Sequence, residues 1–453
     1  MSTLNIKRLK SAWLLVFLIG PLIINLVKVS PAQVADFSSN LSQFKLRNGL
    51  EVIVYEDASL PVVSVVMAYG VGSINDPENK PGLAFLMQHL MFQGSRDVGP
   101  MQHVTYIQNV GGELNAATTF DKTFFYETVP ANQLGLVLWL ESDRMNFLEI
   151  NEAAVERIKE ILIDNEHQRN LQEPYGRYFF LIDQILYPDF SYGHPLTGSE
   201  ETIKNISPEE IINFYRSYYI PNNAVLCISG NVKIQKVKDL VSRYFETIPR
   251  GPDIPLSNFS NLKLSFSARD QIMYDSLIST PALQFGLRFD ELQPEDHLPF
   301  RILEYILLNG RTSRLYRRLI TSDRLVLYLN GGLEEKRQYL SLKLFLLANN
   351  KLMIDQSKKV ISEEFNHLKT EMIPEKELNK AKNRYKFDYL SRFMGTNLSR
   401  SLALAESYLS EGKIPDLSTE LDSLNKISPY SILSLARKFF KEEKYCFITV
   451  LPR

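Results

Sequence analysis

The sequence predicts an α+β fold in two homologous halves, each an α/β sandwich of a mostly antiparallel sheet with helices on one face. Three observations predict it. Short runs rich in Val, Ile, Tyr and Phe alternate with stretches whose apolar residues recur every three or four positions. The order strand, helices, strand, helices is read twice, each time over roughly 200 residues. A Pro- and Gly-bearing segment, Arg250-Gly251-Pro252-Asp253-Ile254-Pro255, stands between the two readings.

In chain order, residues 37–48 read as a linker into the first half. Gly49–Tyr55 and Pro61–Tyr69 read as strands from their β-branched content. Asn75–Gly82, rich in Asp, Pro, Asn and Gly, is a loop, and Leu83–Phe92 a helix. Tyr126–Val129 reads as strand, Leu134–Phe147 and Glu152–Gln168 as helices, and Ala224–Gly230 as a strand ending in a turn. The second half repeats the order. Ala282–Phe289 is a strand, Leu298–Leu308 a helix, and Asn309–Ser313 a helix-entry turn with Thr312 or Ser313 as cap. Arg314–Ile320 is a helix, Gln338–Leu347 a strand, Gln356–Leu368 a helix and Lys444–Leu451 a closing strand. The first half therefore spans 37–250, a linker 251–262 and the second half 263–453. The linker reads as a hinge, and a cleft between halves is a natural place for a ligand.

Hydrophobic residues make up 45% and charged residues 23%, proportions of a folded globular chain. With 51 Lys and Arg against 52 Asp and Glu, the formal net charge is -1, which gives no basic face for nucleic acid. Cys227 and Cys446 lie in the apolar runs AVLCISG and YCFITV, too far apart for a CxxC metal site. Buried thiols and a disulfide between them both remain open. At the N-terminus Lys7, Arg8 and Lys10 precede the apolar stretch Ala12–Val27, and Ser30-Pro31-Ala32 follows. This is the pattern of a signal peptide over 1–35, cleaved after Ala32 or Ala35, or of an uncleaved anchor. In either case the rest of the chain is exported, to a periplasmic or other extracytoplasmic place, with membrane contact only through this segment.

Three stretches of the first half carry a resemblance. Pro81-Gly82-Leu83-Ala84-Phe85-Leu86-Met87-Gln88-His89-Leu90-Met91-Phe92-Gln93-Gly94-Ser95 resembles the G-L-A-H-F-L-E-H-M-L-F-x-G-T helix of the insulinase-like, or M16, metallopeptidases, in their M16B branch. Gly111-Gly112-Glu113-Leu114-Asn115-Ala116, on through Asp121 and Thr123 to Tyr126, is similar to the family's GG-x-x-N-A segment. Glu160 to Glu166, followed by Glu173-Pro174-Tyr175-Gly176-Arg177, is similar to E-V-V-x-x-E and P-Y-G-R. Smaller echoes are Gly193-His194-Pro195, Tyr219 to Ala224 and Ser313-Arg314-Leu315-Tyr316, so the resemblance covers the mature chain.

The resemblance implies a LuxS/metallohydrolase-like sandwich and an inverted zinc motif, H-x-x-E-H, with a Glu from a later helix as third ligand. Two His at i and i+4 share one helix face, and the Glu between them acts as general base toward metal-bound water. Here the first His position is Phe85, the general-base position Gln88, the second His position His89, and the third-ligand position Asn165 when Pro174-Tyr175-Gly176 fixes the register. Phe has no lone pair, Gln cannot take a proton near neutrality, and Asn is a weak neutral ligand for zinc. No catalytic residue and no bound zinc are therefore expected. A register slip bringing Glu166 or His167 toward His89 is the alternative. His103, His167, His194, His297 and His367 form no i, i+4 pair.

The expectation is a non-catalytic subunit that encloses a peptide chamber with an H-x-x-E-H-bearing homologue. Alternatives are an active zinc endopeptidase with an atypical site and a stand-alone peptide-binding scaffold. The family holds peptides along the strand that here contains Asn115, Ala116 and Thr118, by main-chain hydrogen bonds; ordinary strand structure is the other reading. In the second half Leu325-Val326-Leu327, with Tyr328, falls where the family has Leu-Ala-Tyr. Lys343 is the cation offered on strand Gln338–Leu347, and no substrate-gripping Arg and Tyr are placed.

Overall fold

The computed structural model describes residues 37–453 apart from 172, 179, 189, 255–268 and 338; the side chains of 166–171 and 177 are also outside the description. The signal segment 1–35, the linker beyond Ile254, Gln338 and the side chains of Glu166 and His167 therefore lie outside the described residues. Residues 37–39 are helical, and the described residues from Asn40 on form one body.

The first sheet contains β1 (Leu41–Lys45), β2 (Glu51–Glu56), β3 (Val62–Tyr69), β4 (Glu113–Thr118), β5 (Thr123–Pro130) and β6 (Ala224–Gly230), in the order β1-β2-β6-β3-β5-β4. Only the β2–β6 pair is parallel. The second contains β7 (Arg269–Asp275), β8 (Ala282–Phe289), β9 (Tyr328–Lys336), β10 (Tyr339–Leu347) and β11 (Cys446–Pro452), in the order β7-β11-β8-β10-β9, with β7–β11 parallel. Both sheets are mostly antiparallel, as expected. Residues 37–48, read as linker, include the edge strand β1, and β7 and β9 are further edge strands without a sequence assignment.

The helices of the first half are α1 (Leu83–Leu90), α2 (Gln102–Asn109), α3 (Leu134–Phe147), α4 (Glu152–Leu171), α5 (Leu181–Leu186), α6 (Glu200–Lys204), α7 (Pro208–Tyr218) and α8 (Ile234–Phe245). Those of the second are α9 (Pro294–Leu307), α10 (Arg314–Tyr316, running into a wider π turn over Arg317–Ser322), α11 (Lys351–Thr370), α12 (Glu375–Met394), α13 (Asn397–Glu411), α14 (Leu417–Lys426) and α15 (Pro429–Phe439). Ser313 stands at the N-cap of α10, but its hydroxyl donates to the Gly310 carbonyl at 2.8 Å and no side chain caps the helix.

Alternation along the strands separates two faces. Val52, Val54, Val65, Met67, Leu226 and Ile228 pack with Leu83, Leu86, Leu138 and Val237 in the first core. Phe285, Leu287, Leu342 and Leu344 pack with Phe300, Ile361, Phe365 and Ile432 in the second. Each half's own helices thus cover one face. The opposite face is covered from the other half. Helix α13 lies across β3 and β6, and α5 lies across β8 and β11.

Small residues make these crossings close. Ser401 on α13 donates to the Ser229 hydroxyl at 2.8 Å, and a Cβ on Gly286 of β8 would come within 2.6 Å of Ile182 of α5. Beside α5, the Asp183 carboxylate accepts from Lys336 at 3.2 Å and from Lys343 at 2.9 Å. The Lys336 ammonium lies 4.1 Å from the Phe120 ring centre and 4.4 Å from that of Tyr187. Asp121, in the β4–β5 turn, accepts the Arg337 amide of the β9–β10 turn at 3.1 Å. The halves are interlocked by exchanged helices. Cys227 and Cys446 are both buried and not joined by a disulfide.

Candidate functional site

Helix α1 begins where the chain can turn only at glycine. Gly82 has φ +99, and a Cβ there would meet the Thr197 carbonyl at 2.7 Å. The Asp76 carboxylate then accepts the amides of Gly82 and Ala84, each at 2.8 Å, and so satisfies the open helix start. Burial pushes the Asp76 carboxyl up, to about 8, while those amides favour its anion. Leu83, Ala84, Leu86, Met87 and Leu90 face the core. That register leaves Phe85, Gln88 and His89 together on the half-buried side.

The rings of Phe85 and His89 meet edge-on with centres 4.8 Å apart. The His89 Nδ1 lies 2.9 Å from the Phe85 carbonyl oxygen, an acceptor, so Nδ1 is the donor in this contact. The Gln88 Oε1 accepts from the Thr118 hydroxyl at 2.6 Å. Strand β4, which carries Thr118, is the outermost strand of its sheet. The Ala116 amide turns away from β5 and is met by Asn115's own Oδ1 at 2.8 Å. Asn115 itself is exposed.

Asn165 is exposed on α4, which packs against α1. The structure thus brings Phe85, Gln88, His89 and Thr118 together, with Asn115 and Ala116 along the same strand, and joins Asn165 to none of them by a described hydrogen bond. Among the described residues this face offers one ring nitrogen. Phe85 supplies only a ring, and the Gln88 oxygen is occupied by Thr118. A catalytic zinc takes about three protein ligands, so these residues do not fit one.

Sequence spacing missed a second group. His103 on α2, Glu127 on β5 and Glu141 on α3 bring donor atoms within 4.8 Å of one another, all buried. The His103 Nε2 lies 3.2 Å from Glu127. The Arg144 guanidinium bonds Glu141, stands 3.8 Å from Glu127 and lies 4.1 Å over the Phe125 ring. Burial outweighs the guanidinium and pushes Glu141 up, to about 8, and Glu127 upward as well. Burial likewise lowers His103, to about 3, which leaves a neutral imidazole. Two carboxyls with one cation therefore retain a proton. Arg144 already supplies the positive charge here, and all four residues are buried. The available signal was three ionisable residues at core positions of one strand and two helices.

In the second half Lys343 is held by Asp183 and Glu334, so the cation noted on that strand is engaged within the chain. A separate cleft of about 300 Å³ between α3 and α8 is lined by Arg96, Trp139, Asp143, Phe147 and Arg243 among others and includes no residue of α1 or β4.

Comparisons bear on this geometry. The family model for the insulinase family (peptidase family M16) matches residues 51–198, and the one described as the peptidase M16 inactive domain matches 205–385. Zinc protease PqqE of Helicobacter pylori is 25% identical over 414 residues, covering 90% of this chain and 92% of its own. The uncharacterized zinc protease YmxG of Bacillus subtilis is 20% identical, covering 91% and 98%. The crystal structure of a Helicobacter pylori protease superimposes with a TM-score of 0.82 at 20% identity, covering 91% of this chain and 99% of that one. The periplasmic protease PqqL of Escherichia coli gives 0.71 at 17% identity, with 91% of this chain against 47% of that one.

Proposed function

Since the chain belongs to the insulinase-like M16 peptidase family, we propose that it is a non-catalytic subunit of that family, which encloses a peptide together with a zinc-bearing homologue. The observation that carries this reading is the face of α1. Phe85 and Gln88 stand where a ligand and a general base are needed, and the Gln88 oxygen is tied to Thr118. The scaffold is kept while the groups that hydrolyse are replaced, so binding and assembly are the functions left to it.

The β4 edge supports the binding half of the proposal. Its outer side carries no neighbouring strand among the described residues, and an extended peptide docks on such an edge through main-chain hydrogen bonds. An exported location rests on the N-terminal segment, and no helix of the described residues is long and apolar enough to cross a membrane.

The test mixes the purified chain with an H-x-x-E-H-bearing homologue from the same genome. The chain alone cleaves no peptide and retains less than stoichiometric zinc, and it co-elutes with the homologue and raises its cleavage rate. About one zinc per chain, or cleavage by the chain alone that chelator abolishes, supports the atypical-site alternative and ends this reading. Loss of both co-elution and stimulation leaves the stand-alone scaffold.

A further inference from the structure

The two halves repeat one arrangement at their sheet edges. In the first, α1 lies beside the outermost strand β4, and in the second α9 lies beside the outermost strand β9. A polar side chain reaches from helix to strand in both, but to different atoms. Gln88 takes the Thr118 hydroxyl and leaves the β4 backbone alone. Glu304 takes a backbone amide: its Oε1 accepts from the Leu333 N–H at 2.9 Å.

That amide is one a docking strand would need. Leu333 stands opposite Leu342 of β10, and ladder bonds alternate along an antiparallel pair, so the Leu333 N–H points outward. Room for the carboxylate comes from Gly332, where a Cβ would stand 2.5 Å from Glu304 Oε1. The Glu304 side chain is 21% exposed, with Arg301 3.8 Å away. The corresponding outward amide of β4, at Ala116, is covered only by the exposed Asn115 side chain, which can swing aside.

We propose that Glu304 closes the β9 edge to extended peptides, so that this chain receives a strand at β4 and not at β9. This makes Glu304 a specificity-determining residue: of the two corresponding helix-flanked edges, β4 and β9, it fixes which one holds the strand. The inference rests on the proposed use of β4 as a peptide platform, and its test separates the two.

The experiment reads amide hydrogen exchange residue by residue in the whole chain, with and without an extended Thr–Val peptide of about ten residues. In the parent, Leu333 is protected without peptide, and added peptide slows Leu114, Ala116 and Thr118 but not Gly331 or Leu333. In Glu304→Ala the Leu333 amide exchanges about tenfold faster, the scale of one lost hydrogen bond, and peptide now slows it. Glu304→Gln keeps an acceptor oxygen and behaves as the parent. Unchanged exchange within β8 and β10 shows that each variant is folded. Peptide protection of Leu333 in the parent, or no release of Leu333 in Glu304→Ala, overturns the inference. If Leu333 is released and then peptide-protected in Glu304→Ala while β4 is never slowed, the β9 closure stands and the β4 platform fails. No peptide protection at either edge in either protein overturns both.

Discussion

The Gln88 carboxamide oxygen accepts the Thr118 hydroxyl at 2.6 Å, joining the half-buried face of α1 to the edge strand β4. A position that in the resembling motif would bear a general base is here a strut between helix and sheet. Gln88→Ala and Thr118→Val should each cost about 1 kcal/mol in urea unfolding, and the double variant little more than either. Full additivity would show that the bond contributes nothing.

Metal affinity should depend on Phe85 far more than on Gln88. Phe85→His creates two imidazoles one helical turn apart on one face, whereas Gln88→Glu adds a base with no metal to serve. Zinc titration should show binding at least about tenfold tighter than the parent for Phe85→His, since two fixed nitrogens replace one, and no change for Gln88→Glu alone. Equal gains from both variants would mean that the donors of this face have been misassigned.

Stability should fall as pH rises from the ordinary carboxyl range to about 8. Burial holds Asp76 and Glu141 up, each to about 8, while in the unfolded chain such groups ionise near about 4. The folded state binds the extra protons, so its advantage is complete below the unfolded value and is lost by the folded one. Thermal unfolding across this range should show a decline, shallower in Glu141→Gln by on the order of 5 kcal/mol over the full range.

The Asp183 lock should be asymmetric. Asp183→Ala leaves Lys336 and Lys343 with only Glu334 between them and should cost about 3–5 kcal/mol, the loss for a buried charge stripped of its partner. Lys336→Met keeps the Asp183–Lys343 pair and should cost about 1 kcal/mol. Urea unfolding of both variants checks the order, and both should retain a single transition.

Ala116→Pro removes the outward amide of β4 while leaving the ladder to β5 intact, which edge strands tolerate. Co-elution with the zinc-bearing homologue and the melting temperature should be retained. Stimulation of peptide cleavage should fall about tenfold, as for one lost main-chain bond. Unaltered stimulation would remove β4 from the account of function.

What the sequence made legible follows burial. Strands β2, β3, β6, β8, β10 and β11 are largely buried on both faces and rich in apolar residues, and could be read directly. The edge strands β1, Leu-Ser-Gln-Phe-Lys, and β7, Arg-Asp-Gln-Ile-Met-Tyr-Asp, carry polar residues because one side meets water, and they left no β-branched run. Helix α13 was missed because its buried side mixes the polar Asn397, Arg400 and Ser401 with Ala403, Leu404 and Ala405 and so shows no continuous apolar stripe. At the site, Phe85, Gln88 and His89 are close in sequence and showed as a motif. The bond from Glu304 to Leu333 and the meeting of His103, Glu127 and Glu141 join distant segments that no spacing rule connects.

The crossing of α13 over β3 and β6 also sets an order of events at birth. While the nascent chain is still being delivered, the first sheet has one face bare, and it stays bare until Asn397–Glu411 follows. The first half is therefore unfinished for most of synthesis and needs shielding from other chains. A truncated product ending before α13 would present that bare face as an aggregation surface.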